Sequence, residues 1–227
     1  MMRTHPTNEH GSTIDGRGGV VRNATPDDLP GIVDIHRKAF SHFFLTRLGS
    51  EFLRNYYGLV LQYRTGIIVV SEAPRALEGF ACGFVDPAEF YRLMWRSRRI
   101  FAWPVLSALL RHPSLATRVL YGVHRIQTPA SELPPRSCEL SSIAVTPEMS
   151  GNGLGKILMR SFLAQARSMD ARCVYLTTDA DGNDAANAFY RDVGFQHTRR
   201  FLQRKGRWMN EYVINGTEAG NSCDTHL

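Results

Sequence analysis

Nowhere does this chain of 227 residues hold the roughly 18 consecutive apolar residues that a membrane-crossing helix needs. Its first eighteen residues are polar and glycine-rich and lack the apolar core of a secretory signal, so 1–18 is expected to be a disordered tail. Cysteine is scarce. Cys82, Cys138, Cys173 and Cys223 stand far apart, without the paired spacing of a metal site, and no metal is expected. Three of them fall in expected strands, which points to small buried thiols in a reducing cytoplasm rather than to disulfides. No internal repeat or long low-complexity tract is present. The remaining composition is ordinary for a globular protein, 43% hydrophobic with a formal net charge of +6. That basic balance suits polyanionic partners, and it also suits mere solubility. The length implies a single domain over 19–216 with a second tail at 217–227.

One long segment contains no acidic residue. From 90 to 131 there are seven arginines (Arg92, Arg96, Arg98, Arg99, Arg111, Arg118, Arg125), interleaved with Tyr91, Trp95, Phe101, Trp103 and Tyr121. The segment reads as one or two helices, interrupted at Pro104 and Pro113, inserted between two strands as part of an arginine-rich stretch at 86–135. Two readings stay open. It is a helical cover with its arginines in water, or a surface for phosphate-rich or membrane-bound acceptors.

The chain before that segment reads as a strand at 20–24 and a helix capped by Thr25 with Pro26 at its first position. A second helix over 50–63 and strands at 66–71 and 77–85 follow. After it, 138–169 reads as a strand (139–145), a turn with Gly151, Gly153 and Gly155, and a helix. Leu154, Leu158, Phe162, Ala166 and Met169 give that helix its buried face. Glycines at the start of a helix let the backbone approach a ligand closely, and the unpaired first-turn amides favour an anion such as phosphate. The spacing fits neither the Walker loop, since Lys156 is followed by Ile157, nor the dinucleotide fingerprint. Alone, the turn is equally a tight strand-to-helix connection that binds nothing. A strand at 173–178, a helix carrying NDAANAFYRDVGF and a hairpin of 195–203 with 210–215 complete the pattern.

At these residues the chain resembles the GNAT superfamily of N-acetyltransferases. Gly153 and Gly155 match the family's glycine turn, and Asn183, Ala186, Phe189, Tyr190, Gly194 and Phe195 match its next segment. Ser150 stands where the family has Arg or Gln, which removes one donor near a diphosphate. The resemblance implies an α/β GNAT fold: a mostly antiparallel sheet with a splayed central strand pair, flanked by helices, plus the basic helical insertion. It implies acetyl-CoA as cofactor. Ile143, Ala144 and Val145 would lie along the pantetheine arm. Ser150, Gly151, Asn152, Gly153, Leu154, Gly155 and Lys156 would hold the pyrophosphate, with Arg160 adding charge. Asn183, Ala186 and Phe189 would complete the cofactor site.

Acetylating an amine needs a base, because an ammonium with a pKa of roughly 8 to 10 is mostly protonated at pH 7. It also needs an acid for the departing thiolate. By resemblance Glu139 is the base, directly or through a water, and Tyr190 the acid. A salt-bridged strand carboxylate and a core aromatic are the plainer readings of the two. His42, Tyr56 and Tyr57, with His36 and Arg54 nearby, are the candidates for the acceptor pocket. The expected acceptor is a small-molecule amine, such as an amino sugar on a nucleotide or lipid carrier. The alternatives are a protein N-terminus or lysine, aminoacyl-tRNA, or a non-catalytic acyl-CoA sensor. A cytoplasmic monomer or homodimer is expected, meeting the inner membrane face if the basic surface engages lipid.

Overall fold

Two long strands, β3 (Gly66–Ala73) and β4 (Ala76–Val85), pair antiparallel at the centre of the molecule. Their side chains alternate between two cores. Ile68, Val70, Phe80, Cys82 and Phe84 enter one, while Ile67, Val69, Ala81 and Val85 enter the other. With both faces covered, the strands are apolar almost throughout. The computed structural model describes residues 13–14, 19–74, 76–117, 119, 134–203 and 206–216. The expected tails and Cys223 lie outside these residues. Thr13–Ile14 is the exception and forms a two-residue strand, β1.

The other strands are β2 (Val20–Asn23), β5 (Ser137–Val145), β6 (Cys173–Asp179), β7 (Gln196–Gln203) and β8 (Arg207–Asn215). Their order in one sheet is β1-β2-β3-β4-β5-β6-β8-β7. Every neighbouring pair is antiparallel except β5 and β6. That parallel pair needs a crossover helix, and α6 (Leu154–Ser168) provides it. Leu154, Leu158, Met159, Phe162 and Ala166 bury α6 on one face of the sheet, together with Phe189 and Tyr190 of α7 (Asp184–Asp192). On the opposite face lie α1 (Leu29–Ala39), α2 (Phe44–Arg47), α3 (Ser50–Gln62), α4 (Pro87–Arg96) and α5 (Arg98–Arg111). Cys82, Cys138 and Cys173 are buried free thiols in strands, as expected.

The structure departs from the sequence reading in a few places. The first helix is split: Pro26–Asp28 forms a 3-10 turn, and Asp28 leaves it to receive two bonds from Arg22 at 2.7 and 2.9 Å. The Arg22 guanidinium holds the Asp28 carboxyl below its usual range. β5 begins two residues before the expected 139, and β8 begins at Arg207 rather than 210. The insertion breaks at Ser97, not at Pro104, which sits inside α5. Proline has no amide for the carbonyl four residues back, here that of Ile100. Asn55 of α3 supplies the missing donor, its Nδ2 reaching that carbonyl at 2.7 Å. The helix therefore continues through the proline.

Candidate active site

β5 and β6 are in register over three pairs only, Ser137 with Cys173, Cys138 with Val174 and Glu139 with Tyr175. Beyond Glu139, β5 stays with β4 as far as Val145, and β6 follows β8 as far as Asp179. A wedge opens between them, the splay that the resemblance implies. It leaves residues 140–145 with one open main-chain edge, able to pair with an extended ligand as a strand would. Ile143, Ala144 and Val145 lie on that edge.

A bulge at the start of the wedge changes which residues share a face. Gly83 pairs with Leu140 and Cys82 with Ser142, so Ser141 is the extra residue. Close approach here demands glycine at 83, because a Cβ would stand 2.1 Å from the Glu139 carbonyl oxygen. Leu140 and Ile143 face the α6 core, while Ser141 and Ser142 both turn toward α3. There Tyr56 meets Ser141 at 2.6 Å and Tyr57 donates to Ser142 at 3.4 Å. Tyr57 also meets His36 Nδ1 at 2.6 Å. Burial pushes the His36 pKa down to about 4 and leaves its Nε2 without a partner. Tyr57 is wholly buried and offers no surface to an acceptor; both tyrosines grip β5 instead. His42 and Arg54 are exposed.

The glycine turn lies at the far end of β5, after a short 3-10 turn at Pro147–Met149. Gly151 and Gly153 take φ of 75° and 82°, a left-handed conformation that side chains disfavour. A Cβ at either would meet nothing within 4 Å, so the space over the turn is open. Among the described residues, the amides of Gly151, Gly153, Leu154 and Gly155 make no hydrogen bond. Four free donors at the start of a 15-residue helix, facing open space, fit a diphosphate. The Ser150 and Asn152 amides are spent on Pro147 and Met149. Lys156 pairs with Asp192 at 3.3 Å, an exposed contact weak enough to be given up for a stronger anion. Arg160 is exposed one turn further on.

Glu139 stands at the mouth of the wedge on the α4 side. Tyr91 donates to its Oε1 at 2.8 Å and Tyr175 to its Oε2 at 2.7 Å. A carboxylate offers about four acceptor positions, so two remain for an amine or a water. Tyr190 approaches from the other face, its ring packed on Phe189, Phe195 and Tyr212. Its hydroxyl makes no hydrogen bond among the described residues. Desolvation pushes its pKa up to about 12, which keeps the phenol protonated at neutral pH.

Asn187, which the sequence reading passed over, positions Tyr190. Its Nδ2 donates to the carbonyls of Asp179 and Asn183, and its Oδ1 accepts from Asn210 and Tyr212. These bonds tie α7 to the end of β6 and to β8. Asn183 donates to Thr178 at 2.7 Å, Ala186 is half-buried, and Phe189 packs against Gly155. Tyr91 was also missed; it reaches Glu139 from 48 residues away in sequence, and no local signal marks it. Tyr175 had one, its place in the strand paired with β5.

Residues 116–195 match the acetyltransferase (GNAT) family. Over 86 residues the chain is 40% identical to the N-alpha-acetyltransferase RimI of Mycobacterium tuberculosis, a match covering 38% of this chain and 48% of that protein. The chain thus spans about half the length of this curated relative. The ribosomal-protein-S18-alanine N-acetyltransferase of Escherichia coli has a similar fold, with TM-score 0.56 and 14% identity over 90% of this chain and 97% of that one. So has yncA of Salmonella typhimurium, solved with its cofactor acetyl-CoA, with TM-score 0.57 and 17% identity over 89% and 98%. The matched segment, 116–195, is thus similar to the GNAT acetyltransferase family, and it carries the glycine turn within a fold that the chain shares along most of its length with these structures.

Proposed function

We propose that this protein is an acetyl-CoA-dependent N-acetyltransferase that acetylates a primary amine by direct attack in a ternary complex. The observation that carries this reading is the row of free amides at the start of α6, next to a wedge flanked by Glu139 and Tyr190. When bound, acetyl-CoA would supply the acetyl group as a thioester, with a thiol as its leaving group. The amides of Gly151, Gly153, Leu154 and Gly155 hold its diphosphate, with Lys156 adding charge. The open edge at Ile143, Ala144 and Val145 takes the pantetheine arm, and Asn183, Ala186 and Phe189 close over it. Glu139, fixed by two tyrosine hydroxyls, takes the proton from the incoming ammonium directly or through a water. Tyr190 would give its proton to the departing sulfur and recover one from the newly acylated nitrogen, which must lose a second proton to become an amide. Each proton transfer is worth about 10²- to 10⁴-fold, and alignment of amine and thioester contributes the larger share.

For the acceptor, we read a small-molecule amine, such as an amino sugar on a nucleotide or lipid carrier, met through the arginine-rich insertion. A second reading, the α-amine of a protein, is favoured by the identity with RimI. Release of CoA thiol from acetyl-CoA, measured against amino sugars, their nucleotide and lipid-linked forms and alanine-terminated peptides, tests both. Turnover that falls with Tyr190→Phe and Glu139→Gln supports the mechanism. No heat of association with acetyl-CoA on folded protein would overturn it.

A further inference from the structure

A surface helix normally buries one face and turns a polar face to water, but α5 carries large apolar residues on its outer side as well. Phe101, Pro104 and Ala108 are buried on its inner side. On its outer side Ile100 is 47% exposed, Trp103 65%, Leu106 49% and Leu110 74%. Positions 99, 103, 106 and 110 follow at helical spacing, so Arg99, Trp103, Leu106 and Leu110 form one outward stripe. Single exposed apolar residues are ordinary, whereas a continuous stripe marks a contact surface.

The charge on the stripe's own segment is of one sign, for no acidic residue lies between 90 and 131. Arg92, Arg96, Arg98, Arg99 and Arg111 form no ion pair among the described residues. The arginines of the β7–β8 hairpin behave differently: Arg199 pairs with Glu211, Arg200 with Asp181 and Arg207 with Asp179. A second copy of this chain would set unneutralised arginines against arginines. A nucleic acid would satisfy the guanidiniums and leave the aliphatic side chains in water. An anionic bilayer satisfies both, with lipid phosphates for the arginines, the acyl boundary for Leu106 and Leu110, and the headgroup level for Trp103.

We infer that the outer face of α5 docks in the plane of an anionic lipid surface. No described helix is long and apolar enough to cross a membrane, and a helix lying in the interface needs no such length. The docking face is coupled to the site, because Tyr91 of the adjoining α4 holds Glu139 and Asn55 of α3 is bonded to α5. A lipid-carried amine would therefore arrive on the Glu139 side; only this last point rests on the proposed function.

Flotation of the full chain with phosphatidylcholine vesicles containing phosphatidylglycerol, and with phosphatidylcholine alone, tests the docking. The chain should float with the anionic vesicles only and come off as salt is raised. Trp103→Ser with Leu110→Ser should weaken binding by roughly a hundredfold or more, about tenfold for each apolar side chain lost. Arg99→Glu with Arg111→Glu should abolish binding. Both variants should melt as the wild type does. If the wild type fails to float, or the variants float as well as it does, the proposal falls. It also falls if the apolar variant instead dissolves a dimer or releases bound RNA. Loss of thiol release with intact flotation would overturn the proposed function and leave the docking standing.

Discussion

On the α6 side of the wedge the site is made of main chain; on the α4 side it is made of side chains. The proposed diphosphate cradle consists of amides at Gly151, Gly153, Leu154 and Gly155, and Lys156 beside it is paired with Asp192. Opposite, Glu139 is set by Tyr91 and Tyr175, and the bulge by Tyr56, Tyr57 and His36. A cradle of amides depends on backbone conformation and tolerates changes of surface charge. A wall of interlocked side chains loses its geometry when one hydroxyl is removed.

Tyr190→Phe should have the largest effect, lowering kcat by about 10²- to 10⁴-fold while the KM for acetyl-CoA hardly moves. Steady-state thiol release reads both constants, and a change confined to KM would mean that the phenol binds rather than donates. Next comes acid sensitivity on the side-chain wall. The His36 pKa in the fold, about 4, lies below its ordinary value near 6.5, so the fold favours the neutral ring. The stability this contributes is complete above about pH 6.5 and is lost as pH falls toward 4, roughly 3 kcal/mol. His36→Phe should remove that part of the loss in denaturant unfolding at pH 7 and pH 4. Tyr57→Phe strips the partner from His36 Nδ1 and should cost about 1–3 kcal/mol at neutral pH. Gly153→Val attacks the cradle through its φ of 82°, at about 1–3 kcal/mol of strain, and should raise the KM for acetyl-CoA with kcat less affected. Lys156→Ala should do least, shifting that KM by less than about tenfold. A larger shift would mean that side-chain charge, not the amides, holds the diphosphate.

The same division decides what could be read in advance. The glycine turn, the helix behind it and the Asn183–Phe195 segment are local patterns, and they led to the fold and to Glu139 and Tyr190. The bulge at Ser141 arises because Gly83 lets β4 approach, a fact about two strands more than fifty residues apart. Continuity of α5 through Pro104 depends on a donor from α3. Tyr56 and Tyr57 were recognised as important side chains but placed in the acceptor pocket, because helical spacing alone does not say which strand a hydroxyl will meet. The outer face of α5 was visible as arginines and aromatics, yet only exposure separates Trp103, outside, from Phe101, inside.

Ser141 also acts as a phase shift in an otherwise alternating strand. Without that one residue, Leu140, Ile143 and Val145 would stay in the α6 layer and Ser142 and Ala144 on the opposite face, and only the hydroxyl that meets Tyr56 would be lost. Position 141 therefore tolerates deletion, whereas removing one residue from the regular stretch on either side inverts every side chain beyond it. The length of β5 on either side of the bulge can change only in steps of two.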